Sequence, residues 1–306
     1  MTAAPRVAVA LEGYGWHPES WRHTTDVGPV TSGAYWTALA ATAERGLLDF
    51  VTFDDSLGPQ RRRRPEIEPR WLAGRPDAVL LAAHVATSTR HLGLIPVAVA
   101  THTDPSRLAR DLAALDDISE GRAGWQVRIS SSRHEAELFG REPDEDPFGA
   151  AADTVHTVRE TGGGEIVVAA LAHNPHVYEF ASRSADLVFI TPKGDESLGA
   201  ILAEVDSAGG RNLQVYADLF VSFDGVVDDR SDAEVFTGTP AELAAKICHW
   251  QRLGAAGVRL RPAVNSADLP VIADEVIPML QRTAGFRTEY RPGETLRQRL
   301  GSERVP

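Results

Sequence analysis

The sequence predicts an α/β fold of one kind, a single (β/α)8 TIM barrel occupying residues 1–306. Three observations predict it. Eight short apolar runs recur along the chain, eight amphipathic segments separate them, and 306 residues is a length that eight βα units can fill. Parallel strands covered on both faces read as continuous apolar runs, which is what these runs are. An open doubly wound sheet is the competing architecture. Its Gly-rich turn into a helix after the first strand is missing, because Gly13 and Gly15 lead into Trp16-His17-Pro18.

The predicted strands are 6–12 (RVAVALE), 48–53 (LDFVTF), 92–98 (LGLIPVA), 123–129 (AGWQVRI), 165–171 (EIVVAAL), 186–191 (DLVFIT), 213–221 (LQVYADLFV) and 257–261 (GVRLR). The first helix, 33–46, starts at Ser32 as cap, repeats Leu39, Ala43 and Leu47 at helical spacing, and stops near Gly46. Asp77 opens the second, to about Thr89. The third, 105–118, has Asp104 as N-cap and Pro105 in its first turn. Helices over 147–161, 175–184, 195–208, 240–253 and 269–284 complete the series. In the seventh, Thr239-Pro240-Ala241-Glu242 places a cap, a first-turn proline and an early acid in order.

Composition narrows the function. The formal net charge is −12, which disfavours non-specific binding to nucleic acid or an anionic membrane. The basic run Arg61–Arg64 sits between Pro59 and Pro65 and reads as a solvated loop. With Cys248 as the single cysteine, no intrachain disulfide and no cysteine-built metal site can form; the residue reads as a buried thiol in a reducing, cytoplasmic protein. The N-terminal apolar run is too short for a secretory signal, and no run reaches the ~18 apolar residues of a membrane span.

Barrel enzymes place their chemistry at the carboxyl ends of the strands. There the sequence offers Trp16 and His17, Asp54-Asp55-Ser56, Thr101-His102, Gln126 to Ser132, His173-Asn174, and the arginines 259 and 261. Three chemistries compete. Asp54, Asp55, His17, His102 and His173 include metal-ligand types, but no H-x-H or E-x-x-H spacing occurs. Serines 130–132 follow a strand without a G-x-S-x-G elbow. A mouth with Trp16, Trp21 and Trp125 can hold a flat ring, with Asp55, Thr101 and Gln126 on its polar edge. Each also has a plainer reading: Trp125 as core, Asp55 as a helix cap, Thr101 as a strand end.

Four segments resemble the luciferase-like flavin-dependent monooxygenases, in the branch of the nitrilotriacetate and dibenzothiophene-sulfone enzymes. They are GYGWHPESWRH (13–23), FDDSL (53–57), DPSRLARDLAALDDISEGRAGWQV (104–127), and the closing stretches 238–260 and 276–301. The resemblance implies a (β/α)8 barrel that takes reduced FMN from a separate flavin reductase and oxygenates a small organic substrate with O2. It implies flavin contacts at Asp55, Thr101 and Gln126, phosphate contacts at His173 and Asn174, His17 on the substrate side, and a homodimer through the second and third helices. Helix 77–89 is more apolar than a half-exposed helix needs, in keeping with that.

The chain also departs from that pattern. Gln126 stands where the branch usually has Asn. The family's phosphate-site His and Tyr correspond to Asp144 and Phe148, which bring a like charge and remove a hydroxyl. Pro175 removes an amide donor after Asn174. Segments 161–165 and 222–238 replace longer insertions. The alternative function that these changes favour is a catalytically degenerate barrel, an accessory subunit or binding protein with weak or no FMN binding.

Overall fold

Eight parallel strands close into a barrel in the computed structural model, which describes residues 4–24, 27–58, 60, 67–69, 71–161 and 165–301. In chain order the elements are β1 (Val7–Leu11), α1 (Gly33–Arg45), β2 (Phe50–Phe53), α2 (Ala78–Ala86), β3 (Gly93–Val99), α3 (Pro105–Ser119), β4 (Gly124–Arg128), α4 (Arg133–Glu137), α5 (Pro147–Thr161) and β5 (Val167–Leu171). There follow α6 (Pro175–Ser184), β6 (Leu187–Ile190), α7 (Asp195–Ser207), β7 (Gln214–Ser222), β8 (Glu234–Thr237), α8 (Pro240–Arg252), β9 (Gly257–Pro262), α9 (Asn265–Val271), α10 (Ile277–Ala284) and α11 (Leu296–Leu300). Strands β1 to β7 pair in sequence, and β9 closes the ring between β7 and β1. All eight predicted strands are present. The basic run Arg61–Arg64 and most of the 161–165 connection lie outside the described residues.

Strand alternation sorts the side chains. In β1, Val7, Val9 and Leu11 pack outward against the helices, while Ala8 and Ala10 face the barrel interior. The lower interior is apolar and aromatic, with Phe50, Phe189 and Tyr216 in contact. Leu296 and Leu300 of α11 pack into the same cluster and close the amino end. The tail is tied there by charge: Arg297 forks onto Asp186, at 2.9 and 3.1 Å, and Arg287 pairs with Asp49. With that end plugged, the open end is the one where the strands point their carboxyl termini.

The block 104–127 folds as its caps dictate. Asp104 accepts the Arg107 N–H at 2.8 Å, and Pro105 fills the first turn. Glu120 (φ 56°) and Gly121 (φ 81°) turn the chain left-handed and stop α3. Arg122 then donates to the carbonyls of Ala86, Thr89, Leu92 and Ser119, fastening the end of α2 to the start of β4. The register of β4 is therefore pinned at its amino end by a buried arginine as well as by the sheet.

Four features differ from the sequence expectation, the first being the short helix α11, which lies beyond the last predicted helix. The short helix α4 follows β4. The closing helix is interrupted, with a π-helical segment over Ile272–Val276 just after Pro270. And β8 adds a ninth strand within 222–238. It pairs with the upper half of β7 (Leu219–Ser222), on the side where β6 pairs with the lower half. Glu234 N–H donates to Pro192 O at 2.9 Å, so β8 continues the wall where β6 ends. The shortened segment is thus built into the barrel mouth.

Candidate active site

At the carboxyl ends of β2 to β5 a cavity of about 420 Å³ opens beside Trp16. Asp55, Gln126, His173 and Asn174 line it together. Thr101 is not among its lining residues; its hydroxyl accepts the Ser130 N–H at 3.1 Å and ties the ends of β3 and β4. Of the three tryptophans expected at the mouth, only Trp16 lines the cavity. Trp125 is fully buried on the outer face of β4, as alternation with inward-facing Gln126 requires, and Trp21 is exposed under Arg22.

The cavity floor is a buried charge network. Arg259 forks onto Asp218, with Nε to Oδ1 at 2.7 Å and Nη2 to Oδ2 at 2.6 Å, and the sheet register places the two residues side by side. Arg261 bonds the same Asp218 and reaches Asp232 at 2.6 Å. The guanidinium of Arg259 lies 3.6 Å from the Phe189 ring centroid, and that of Arg261 lies 4.3 Å from the Trp16 ring. Arg259 Nη1 also donates to Gln126 Oε1 at 2.7 Å. An arginine can only donate, so this bond fixes the Gln126 amide: its oxygen faces Arg259 and its NH2 is left to donate to a neighbour in the cavity.

Asp55 lines the cavity just past the end of β2. Its carboxylate accepts from Ser56 N at 2.6 Å and Ala78 N at 3.1 Å, so the group also caps the region where α2 begins. Burial pushes its pKa up from 3.8 to about 6, partly offset by those two amides, and the nearby Asp77 and Asp54 push the same way as burial.

A second cavity, of about 330 Å³, shares Trp16 with the first. His17 lines it, with Tyr14, Trp71, Phe220 and the loop residues Asp228 and Asp232. Gly15 makes this geometry possible. Its φ is +147°, and a Cβ there would stand 2.1 Å from Ala263 O. Trp16 is then held by its indole N–H on Ala10 O at 2.7 Å. His17 Nδ1 accepts the Glu19 N–H at 3.2 Å, and burial lowers the ring's pKa, with Asp228 opposing, so the imidazole is neutral at pH 7.

The expected phosphate end has a different composition from its sequence reading. Asp144 is exposed, accepts the Asp146 N–H at 2.9 Å, and is not among the cavity-lining residues. Phe148 does line it, packed near Phe180. His173 Nδ1 lies 3.0 Å from the Thr191 hydroxyl, and Asn174 spends its side chain capping Val177 N at 3.3 Å. Arg128 also lines the cavity. Among the described residues no group of three or more His, Cys, Asp and Glu side chains is arranged to hold a metal ion, and no helix is long and apolar enough to cross a membrane.

Reading the sequence alone missed the roles of Asp218, Arg259, Arg261, Asp232 and Arg128. A signal existed for part of this. Arginines two apart in a strand buried on both faces must share an interior partner, and Asp218 is the one charged residue in the run Gln214–Ser222.

The luciferase-like monooxygenase family model matches residues 16–173, just more than half of the chain. The N-acetyl-S-(2-succino)cysteine monooxygenase of Bacillus subtilis is 23% identical, and the match covers 98% of this chain and 97% of that protein. That alignment runs over 432 residues, so the relative carries long segments absent from the 306 residues here. The nitrilotriacetate monooxygenase component A of Aminobacter aminovorans is 35% identical over 136 residues, covering 42% of this chain and 30% of that one. Among solved structures, the EDTA monooxygenase of Chelativorans sp. superposes with a TM-score of 0.86 at 16% identity, over 99% of both chains. With the family model matched across the strand ends that build the cavity, the chain belongs to the luciferase-like monooxygenase family.

Proposed function

We propose that this chain is a reduced-FMN-dependent monooxygenase that oxygenates a small organic substrate with O2. The observation that carries the reading is the gathering of Asp55, Gln126, His173 and Asn174 in one cavity at the carboxyl ends of the strands, beside a second cavity that shares Trp16. The residues suit the cofactor. Gln126 offers amide donors that its bond to Arg259 holds in place, which complements the carbonyl edge of an isoalloxazine. Asp55 offers a carboxyl whose pKa burial raises to about 6, and Trp16 a flat apolar wall.

Reduced FMN supplies the electrons and the atom that engages O2; the chain's residues bind, orient and exclude water. Gln126 and Asp55 fix the ring. Trp16 separates it from the pocket where His17, as a neutral imidazole, meets the substrate. The loop holding Asp228 and Asp232 walls that pocket, carried by the pairing of β8 with β7, and takes the place of the longer covering segments of relatives. The flavin arrives reduced from a separate reductase.

Pairing of two copies is part of the proposal. Leu80 on α2 and Ile118 on α3 are exposed, at 71% and 50%, and line one groove with Phe139. Light scattering on Leu80→Arg should report a monomer where the parent chain is a dimer. The reaction is tested by stopped-flow mixing of anaerobically reduced FMN, protein and O2. Reoxidation kinetics distinct from those of free flavin are expected. A time course identical to free flavin at saturating protein counts against a monooxygenase, and would leave the degenerate barrel as the better description.

A further inference from the structure

The cavity holds one more cation, outside the network on its floor. Arg128 ends β4 two residues past Gln126, on the same inward face. Its Nη2 donates to Glu135 Oε1 at 2.6 Å. Its Nη1 is buried and has no hydrogen-bond partner. A guanidinium N–H withdrawn from water with no acceptor is costly, and the residue lines a cavity where an acceptor can arrive.

The other donors at that end are largely committed. The start of α6 is short of free amides: Pro175 has none, Val177 N bonds Asn174 Oδ1, and Tyr178 N bonds Asn174 O at 3.2 Å. His173 is engaged with Thr191, and Phe148 brings no donor. An anion in this cavity would therefore find its least committed charged donor at Arg128, whose guanidinium bonds Glu135 through Nη2 alone. Glu135 does not forbid that, since the fork of a guanidinium can bond two oxyanions through separate nitrogens.

We propose that Arg128 anchors the phosphate of the flavin mononucleotide and so makes this chain discriminate FMN from riboflavin. The proposal rests on the flavin reading of the cavity, and the test separates the two. FMN and riboflavin are titrated, oxidised and anaerobically reduced, into the wild-type chain and into Arg128→Met, Arg128→Lys and the double variant Arg128→Met/Glu135→Gln. The double variant removes both members of the ion pair, so that loss of fold is not mistaken for loss of the anchor. Wild type should prefer FMN. Both variants carrying Arg128→Met should lose about 10- to 100-fold in FMN affinity, the range of a charge-assisted contact, while riboflavin changes less than about threefold. Arg128→Lys should recover part of the FMN preference. Equal wild-type affinity for the two flavins, or an equal loss for both in the variants, overturns the assignment of Arg128. Binding of neither flavin by wild type overturns the flavin reading itself.

Discussion

Replacing Asp55 by asparagine should make the protein more stable above pH 6 and a poorer flavin binder. Burial holds the Asp55 pKa at about 6, against 3.8 for the free side chain. The sign follows from linkage. A carboxyl with a raised pKa binds more protons in the native state than in the unfolded state between those two values, so stability falls as pH rises from about 4 to about 6. Above pH 6 both states are ionised and the cost is constant. A rise of about two pH units at 1.36 kcal/mol each gives roughly 3 kcal/mol, reduced to about 2 kcal/mol because the carboxyl keeps some access to solvent. The carboxamide of the variant has no such titration. Urea unfolding of both proteins at pH 4, 5, 6 and 7 should show the variant gaining about 2 kcal/mol on the wild type across the series. A difference that stays flat within about 0.5 kcal/mol from pH 4 to pH 7 would refute the reasoning. FMN titration at pH 7 should show the opposite trend, weaker binding by the more stable protein, as expected when a strained group is kept for function.

Three further perturbations probe the site. Gln126→Glu keeps an acceptor for Arg259 but turns a second oxygen toward the cavity in place of the NH2, so FMN affinity should fall at least about tenfold by calorimetry with the fold intact; unchanged affinity would mean that the amide presents no donor there. Asp218→Asn leaves Arg259 and Arg261 buried without their shared carboxylate and should cost about 3–5 kcal/mol in denaturant unfolding, whereas a loss under about 1 kcal/mol would show the network to be dispensable. Gly15→Ala forces a Cβ onto Ala263 O at a φ that other residues rarely adopt, so the loop carrying Trp16 must move; a wild-type tryptophan emission spectrum together with wild-type stability would contradict that.

The barrel was legible in the sequence because its signals are local. Continuous apolar runs mark doubly covered strands, and Asp77, Asp104 and Thr239 mark helix starts with side chains that do accept backbone N–H groups. β8 was not legible. Its four residues are not fully buried and form a strand because β7 outruns β6, which no local pattern records. The helix expected over 269–284 begins earlier, at Asn265, and contains a π-helical segment. The site was legible in part. Resemblance brought Asp55, Gln126, His173 and Asn174 to one cavity, but Asp144 lies outside it, and the bond that orients Gln126 joins residues 133 positions apart. Long-range polar contacts of that kind depend on barrel closure and leave no trace in sequence spacing.

The most direct measurement is a titration of FMN into the protein in both redox states, followed by fluorescence quenching when oxidised and by anaerobic calorimetry when reduced. Saturable binding of one FMN per chain, tighter for the reduced form and weakened by Asp55→Asn and Gln126→Glu, is the predicted result. No binding of either form at protein concentrations where the fold is intact would contradict the assignment of the cavity to flavin and with it the monooxygenase reading.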